Sequence, residues 1–164
     1  MASLKSIDFH DYKAFAHFTL SARSRNILVG PNNAGKSTAL DAFRIAFDVL
    51  RFARRHNAVL KSQGQDGVCA TYVVPESVVQ TDLRACVHNF ADGHAKIRLS
   101  LDNQNSFIIK IPNGGNLECY LKTDLQSQVG SKFLRERFPL DLVIVPTLSP
   151  LGSVAQMVLS LIHI

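Results

Sequence analysis

The stretch NILVGPNNAGKSTALDAF, residues 26–43, decides how this chain is read. Gly30, Pro31, Asn32, Asn33, Ala34, Gly35, Lys36, Ser37 and Thr38 fit the pattern G-x-x-x-x-G-K-[ST], in which each fixed position has a physical task. Gly30 and Gly35 permit backbone angles and close approaches that a side chain would block, so that successive amide N–H groups can curl around an anion. Lys36 then supplies positive charge for the β- and γ-phosphates of a nucleotide, and Ser37 presents a hydroxyl to Mg²⁺. Thr38 opens a helix whose N-terminal amides and dipole also favour phosphate. Such a loop needs a strand before it and a helix after it. "NILV" reads as a buried strand running into glycine, and from Ser37 to about Arg55 the residues Leu40, Phe43, Ile45, Ala46, Phe47, Val49, Leu50 and Phe52 recur with helical spacing, uninterrupted by proline or glycine. ATP and Mg²⁺ are the expected ligands.

Working outward, "LKSIDFHDY" and "AFAHFTLSA" read as two short strands that pair as a hairpin ahead of the loop. Beyond the helix, "KSQGQDG" has the polarity and glycines of a surface loop. Four strands follow, "VCATYVVP", "AKIRLSL", "SFIIKIP" and "LECYLKT", with "DNQN" and "NGGN" as turns suited to hairpins. A helix from Ser131 to Arg137 precedes "LDLVIVPTLSPL", an apolar run read as a core strand returning to the first sheet. The expected fold is α/β: a parallel-type P-loop NTPase core interrupted by an antiparallel β lobe. Residues 1–57 hold the hairpin, loop and helix, residues 66–125 the β lobe, and residues 127–152 the last helix and core strand.

A chain of 164 residues with apolar content typical of a packed core is one ordinary domain or part of a larger one. The net charge of +5 is uneven, because Lys36, Arg44, Arg51, Arg54, Arg55 and Lys61 crowd into one quarter of the sequence. Lys36 is accounted for by phosphate. Arg51, Arg54 and Arg55 sit at helix spacing near a helix C-terminus, where cations interact favourably with the dipole, and they read either as a solvated helix end or as a DNA-facing patch. The three cysteines, Cys69, Cys86 and Cys119, are widely spaced and fit neither a disulfide framework nor a paired metal site, so they are expected as buried thiols. The six histidines form no metal-ligand spacing. No stretch of about eighteen apolar residues occurs and no export signal opens the chain, so no membrane partner is expected and a cytoplasmic location is.

The first fifty or so residues resemble the N-terminal segment of the RecF, SMC and OLD group of ABC-type ATPases, often described as AAA-family ATPases. In that group a strand, an aromatic-basic corner, a second strand and a GPNxxGKST loop follow in this order. Here Asp11, Tyr12, Lys13, Ala14 and Phe15 occupy the corner, with Asp11-Tyr12 where Asn-Phe is more usual. The resemblance implies an ABC-ATPase-like core, ATP and Mg²⁺ as cofactors, and Lys13 lining the base or ribose side of the nucleotide. It also implies a head-to-tail homodimer sandwiching two ATP molecules, and action on DNA in repair or phage defence. Gln156 is a candidate for the Q-loop residue that senses Mg²⁺ and the γ-phosphate. A non-catalytic nucleotide-binding module and a transporter-type ABC ATPase subunit are the alternatives.

The group's signature sequence, its Walker B strand closed by Asp-Glu and its switch histidine have no counterpart here, since no run of four apolar residues is followed by Asp-Glu. Without those carboxylates, phosphoryl transfer lacks a metal ligand and a base. The parent is therefore expected to be an ATPase, and this chain an incomplete N-terminal half, spanning residues 1–158, that binds ATP without turning it over. Residues 159–164, LSLIHI, correspond to the translation of a transposon-derived sequencing adaptor and are expected to be a foreign tail.

Overall fold

Residues 4–21 alternate apolar and polar side chains about a two-residue turn, a pattern that buries one face of a hairpin and wets the other. A computed structural model describes residues 2–23, 26–29, 31, 34–88, 93–125, 130–141, 143–145 and 158–160 of the chain. The hairpin forms as expected: β1 (Leu4–Tyr12) pairs antiparallel with β2 (Phe15–Ser21), Phe9 opposite Phe18 and His10 opposite His17. Helix α1 (Lys36–Ala53) follows, and then β3 (Val59–Ser62), β4 (Val68–Val74), β5 (His94–Leu101), β6 (Ser106–Pro112) and β7 (Leu117–Lys122).

These strands make one seven-stranded sheet in the order β2-β1-β5-β6-β7-β4-β3, with every pair antiparallel. The hairpin is thus continuous with the lobe rather than part of a separate parallel core, because β1 and β5 share the same alternation: Ile7 lies opposite Leu99 and Phe9 opposite Ile97. Inward residues from β1, β4, β5, β6 and β7 meet the apolar stripe of α1, with Ile45, Ala46, Val49 and Leu50 in the same cluster as Phe9, Tyr72, Ile97, Phe107 and Leu121. The segment after β4 closes one end of this core with Val79, Leu83, Cys86 and Val87. All three cysteines are buried free thiols.

Three local expectations are revised. Residues 26–29 form no strand, and Ile27 and Val29 are each 86% exposed. An apolar run becomes a buried strand only where neighbours cover it and satisfy its backbone, and among the described residues none does so. Val59–Ser62, partly read as loop, is an edge strand with all four residues exposed. Helix α2 (Ser131–Arg137) forms as expected, but β8 (Val143–Val145) pairs antiparallel with β9 (Val158–Ser160) in a separate two-stranded sheet instead of joining the first one. With residues 26–29 outside any ladder, β8 has no strand there to pair with.

Candidate nucleotide-binding site

Helix α1 begins at Lys36 because Gly35 ends the loop in a left-handed conformation, with φ 80° and ψ 10°. An L side chain adopts that region only at a cost. Space is a second constraint, since a Cβ at Gly35 would lie 2.5 Å from Cζ and 2.7 Å from Cε1 of Phe15. The second glycine of the motif is therefore required both by its backbone and by the aromatic ring that the hairpin presses against it.

Gly35 brings no side-chain oxygen to cap the helix, and the first turn of α1 carries no acidic residue. The first helical bond runs from the Ala39 amide to the Gly35 carbonyl at 3.0 Å. Helix geometry gives the preceding amides no intrahelical acceptor, so the positive end of the dipole meets the loop with no carboxylate competing for it. The loop is drawn into a turn by Ala34 N–H, which donates to the Pro31 carbonyl at 3.3 Å, and Lys36 Nζ donates to the same carbonyl at 2.6 Å. Ser37 is exposed and Thr38 half-buried at the start of the helix. Gly30, Asn32, Asn33 and the Q-loop candidate Gln156 lie outside the described residues. The cradle at Gly35, the lysine folded over the loop and the exposed hydroxyl of Ser37 fit a nucleotide phosphate with its Mg²⁺.

The hairpin corner is held against this helix. Lys13, at φ 49°, donates its N–H to the Cys86 carbonyl at 2.8 Å, and its own carbonyl accepts from His88 Nδ1 at 2.5 Å. Its ammonium pairs with Asp41 of α1 at 2.7 Å, and the other Asp41 oxygen accepts from Arg44 at 2.8 Å. Phe15 stacks on Phe18 with centroids 4.7 Å apart, and Tyr12 stacks on Phe9 at 5.8 Å. The Tyr12 hydroxyl is buried beside the Cys86 thiol with no hydrogen-bond partner of ordinary geometry, and burial pushes its pKa well up. Asp41 and the segment around Cys86 were not singled out by sequence. The available signal for Asp41 was its spacing of four residues from Ser37, which places both on one face of the helix.

At the far end of α1, Arg54 turns inward. It pairs with Asp141 and donates to the carbonyls of Leu140 at 2.6 Å and Phe138 at 3.3 Å, while Arg135 donates to the Arg54 carbonyl at 3.0 Å. Arg51 and Arg55 stay exposed and border a cleft of about 590 Å³ with Arg135 and Leu140. One arginine of the sequence cluster is thus a structural tie between α1 and the chain after α2. Among the described residues, no helix is long and apolar enough to cross a membrane.

No curated protein matches the chain. A family model described as "AAA domain, putative AbiEii toxin, Type IV TA system" matches residues 25–138, a span that starts just ahead of the loop and takes in α1, the lobe and α2. Matched over more than half of its length, the chain belongs to this AAA-domain family, and that membership implies a nucleotide-binding, ATPase-like function.

Proposed function

We propose that residues 30–38 bind ATP with Mg²⁺, and that the chain serves an ATPase of the RecF, SMC and OLD type that acts on DNA in repair or phage defence. The observation that carries this reading is Gly35, left-handed and packed under Phe15 at the N-terminus of an eighteen-residue helix, immediately before Lys36, Ser37 and Thr38. Amides of the loop and first turn hold the phosphates, and Lys36 neutralises them. The Ser37 hydroxyl would hold Mg²⁺, which would supply positive charge to neutralise the phosphates. Lys13, tied to Asp41, stands at the corner that lines the nucleotide in the resembling ATPases. A head-to-tail dimer supplies the signature residues that this sequence does not contain. By itself the chain binds without hydrolysing, because its sequence has no apolar run closed by Asp-Glu.

Calorimetric titration with ATP, with and without Mg²⁺, tests the assignment. Lys36→Ala is expected to weaken binding by at least about tenfold, in line with the ~1.5–3 kcal/mol typical of hydrogen bonds to charged groups. Ser37→Ala is expected to reduce the gain that Mg²⁺ provides. Tight binding indifferent to Lys36→Ala would overturn the reading.

A further inference from the structure

The apolar core occupies one face of the seven-stranded sheet. On the other face the buried apolar cluster is confined to Cys69, Ile108 and Tyr120, and the positions nearer β2 are polar. Cross-strand register arranges them in rows. His17, His10, Lys96 and Lys110 stand opposite one another across β2, β1, β5 and β6, and Ser21, Ser6, Ser100 and Ser106 do the same four residues along. Arg98 lies between the rows, opposite Asp8 and Ile108.

A row of like-charged side chains placed directly opposite one another destabilises a sheet. Lys96 and Lys110 are such a pair, and the His10 and His17 rings stand 4.4 Å apart in the same row. Lys122 is neutralised by Asp66 and Lys61 by Glu118, although Glu118 is the residue directly opposite Lys110. Lys110 donates instead to the neutral Gln63 Oε1 at 2.6 Å and lies 5.2 Å from the centre of the Tyr120 ring. Lys96 and Arg98 make no ion pair among the described residues. Lys61, Lys96, Arg98, Lys110 and Lys122 thus outnumber Asp8, Asp66 and Glu118, of which Asp8 lies directly opposite Arg98, and this surplus of positive charge fits a partner that carries regularly spaced negative charge.

We propose that the β2-β1-β5-β6 face docks the backbone of duplex nucleic acid, with Lys96, Arg98 and Lys110 as phosphate cations and Ser21 and Ser100 of the serine row as hydroxyl donors, while Ser106 is buried behind Ser100 and Ser6 donates to Asp8. This deepens, and rests on, the DNA-acting part of the proposed function. Strands ~4.8 Å apart make each row of four span about 14 Å, and four residues of strand rise separate the rows by about 13 Å. That separation is comparable to the ~12 Å width of a B-form major groove, so the rows can meet the two backbones that flank it. The exposed rings among these outward positions are His10 and His17, packed against each other, and no exposed Phe, Tyr or Trp offers the stacking platform that single strands require. No large exposed apolar side chain lies there either, which disfavours insertion into a lipid surface or a protein interface with an apolar centre.

The test is fluorescence anisotropy of the full chain with a labelled duplex of about 20 bp over a salt series, since each phosphate cation lost lowers the salt slope by about one. The variants are Lys96→Gln/Lys110→Gln, Lys96→Glu/Lys110→Glu and, as a control at the other basic cluster, Arg51→Ala/Arg55→Ala. The Gln pair is expected to weaken binding at least about tenfold and to lower the slope by about two, with the Glu pair weaker still and the Arg pair near wild type. If the Glu pair does not fold by circular dichroism, the near-isosteric Gln pair decides. Duplex binding unchanged in a folded Gln pair would overturn the face while leaving the DNA-acting reading intact. Absence of duplex binding by wild type at low salt would overturn both. More effective competition by polyglutamate or phosphatidylserine vesicles than by unlabelled duplex would overturn the proposal in favour of an acidic protein or a membrane surface.

Discussion

Replacing Gly35 by alanine tests two separate demands of the loop at once. At φ 80° an alanine sits in the left-handed region, which costs about 1–2 kcal/mol. Its methyl group would also meet the Phe15 ring at 2.5 Å, so the ring must swing away. That movement gives up stacking against Phe18 at 4.7 Å and packing against Phe9 at 5.4 Å, pairs worth about 0.5–1.5 kcal/mol each. Gly35→Ala should therefore destabilise the chain by about 2–5 kcal/mol, a large part of the ~5–15 kcal/mol available to a domain. Urea unfolding of wild type, Gly35→Ala, Phe15→Ala and the double variant separates the two terms. With the ring gone only the backbone term remains, so the cycle should show a coupling of about 1–3 kcal/mol. A cost below about 0.5 kcal/mol for Gly35→Ala, or additivity within that margin, would refute the argument that Phe15 and the left-handed backbone jointly require glycine.

Tyr12→Phe removes a buried hydroxyl that has no partner of ordinary geometry, so urea unfolding should show no loss or a gain of up to about 1 kcal/mol; a loss larger than that would mean the Cys86 thiol is a true partner. Asp41→Asn breaks a half-buried tie between the hairpin corner and α1 and should cost about 0.5–1.5 kcal/mol in urea unfolding, a cost that shrinks in a Lys13→Ala background, where only the Arg44 pair is left to lose; an unchanged cost there would mean the Lys13 pair contributes nothing. His10 and His94 both have lowered pKa values, from burial first and then from neighbouring cations: His17 and Lys96 act on His10 against Asp8, and Lys110 and Lys96 act on His94 against Asp11 and Glu118. The folded state then binds fewer protons than the unfolded one between the lowered values and 6.5, so stability should climb with pH through that window, with the penalty fully present below it. Urea midpoints measured between about pH 5 and 8 should show this rise, flattened in His10→Gln/His94→Gln, and a midpoint that falls with pH there would contradict it.

Elements whose burial follows their own sequence period are legible from the sequence itself. Helix α1 has an apolar stripe at helical spacing, and β5 alternates Ala95, Ile97 and Leu99 inward with Lys96 and Arg98 outward. β3 is harder to read because all four of its residues are exposed, so its edge position leaves no alternation to detect. "NILV" misleads for the converse reason: an apolar run states a need for neighbours and not their presence, and Ile27 and Val29 stay exposed. The pairing of Leu4 with Leu101, which joins the hairpin to the lobe, spans most of the chain, and no local pattern encodes it. At the site, the glycine and lysine spacing is visible because the chemistry is local. The Phe15 ring over Gly35 and the Lys13–Asp41 pair arise only when the hairpin folds back onto the helix.

Hydrogen exchange of the chain with and without ATP and Mg²⁺, resolved to the peptide covering residues 26–43, tests the central claim most directly. Amides at the end of the loop and in the first turn of α1 should gain protection when nucleotide binds, and the gain should vanish in Lys36→Ala. Protection confined to other parts of the chain, or none at saturating nucleotide, would contradict the assignment of residues 30–38 as the phosphate site.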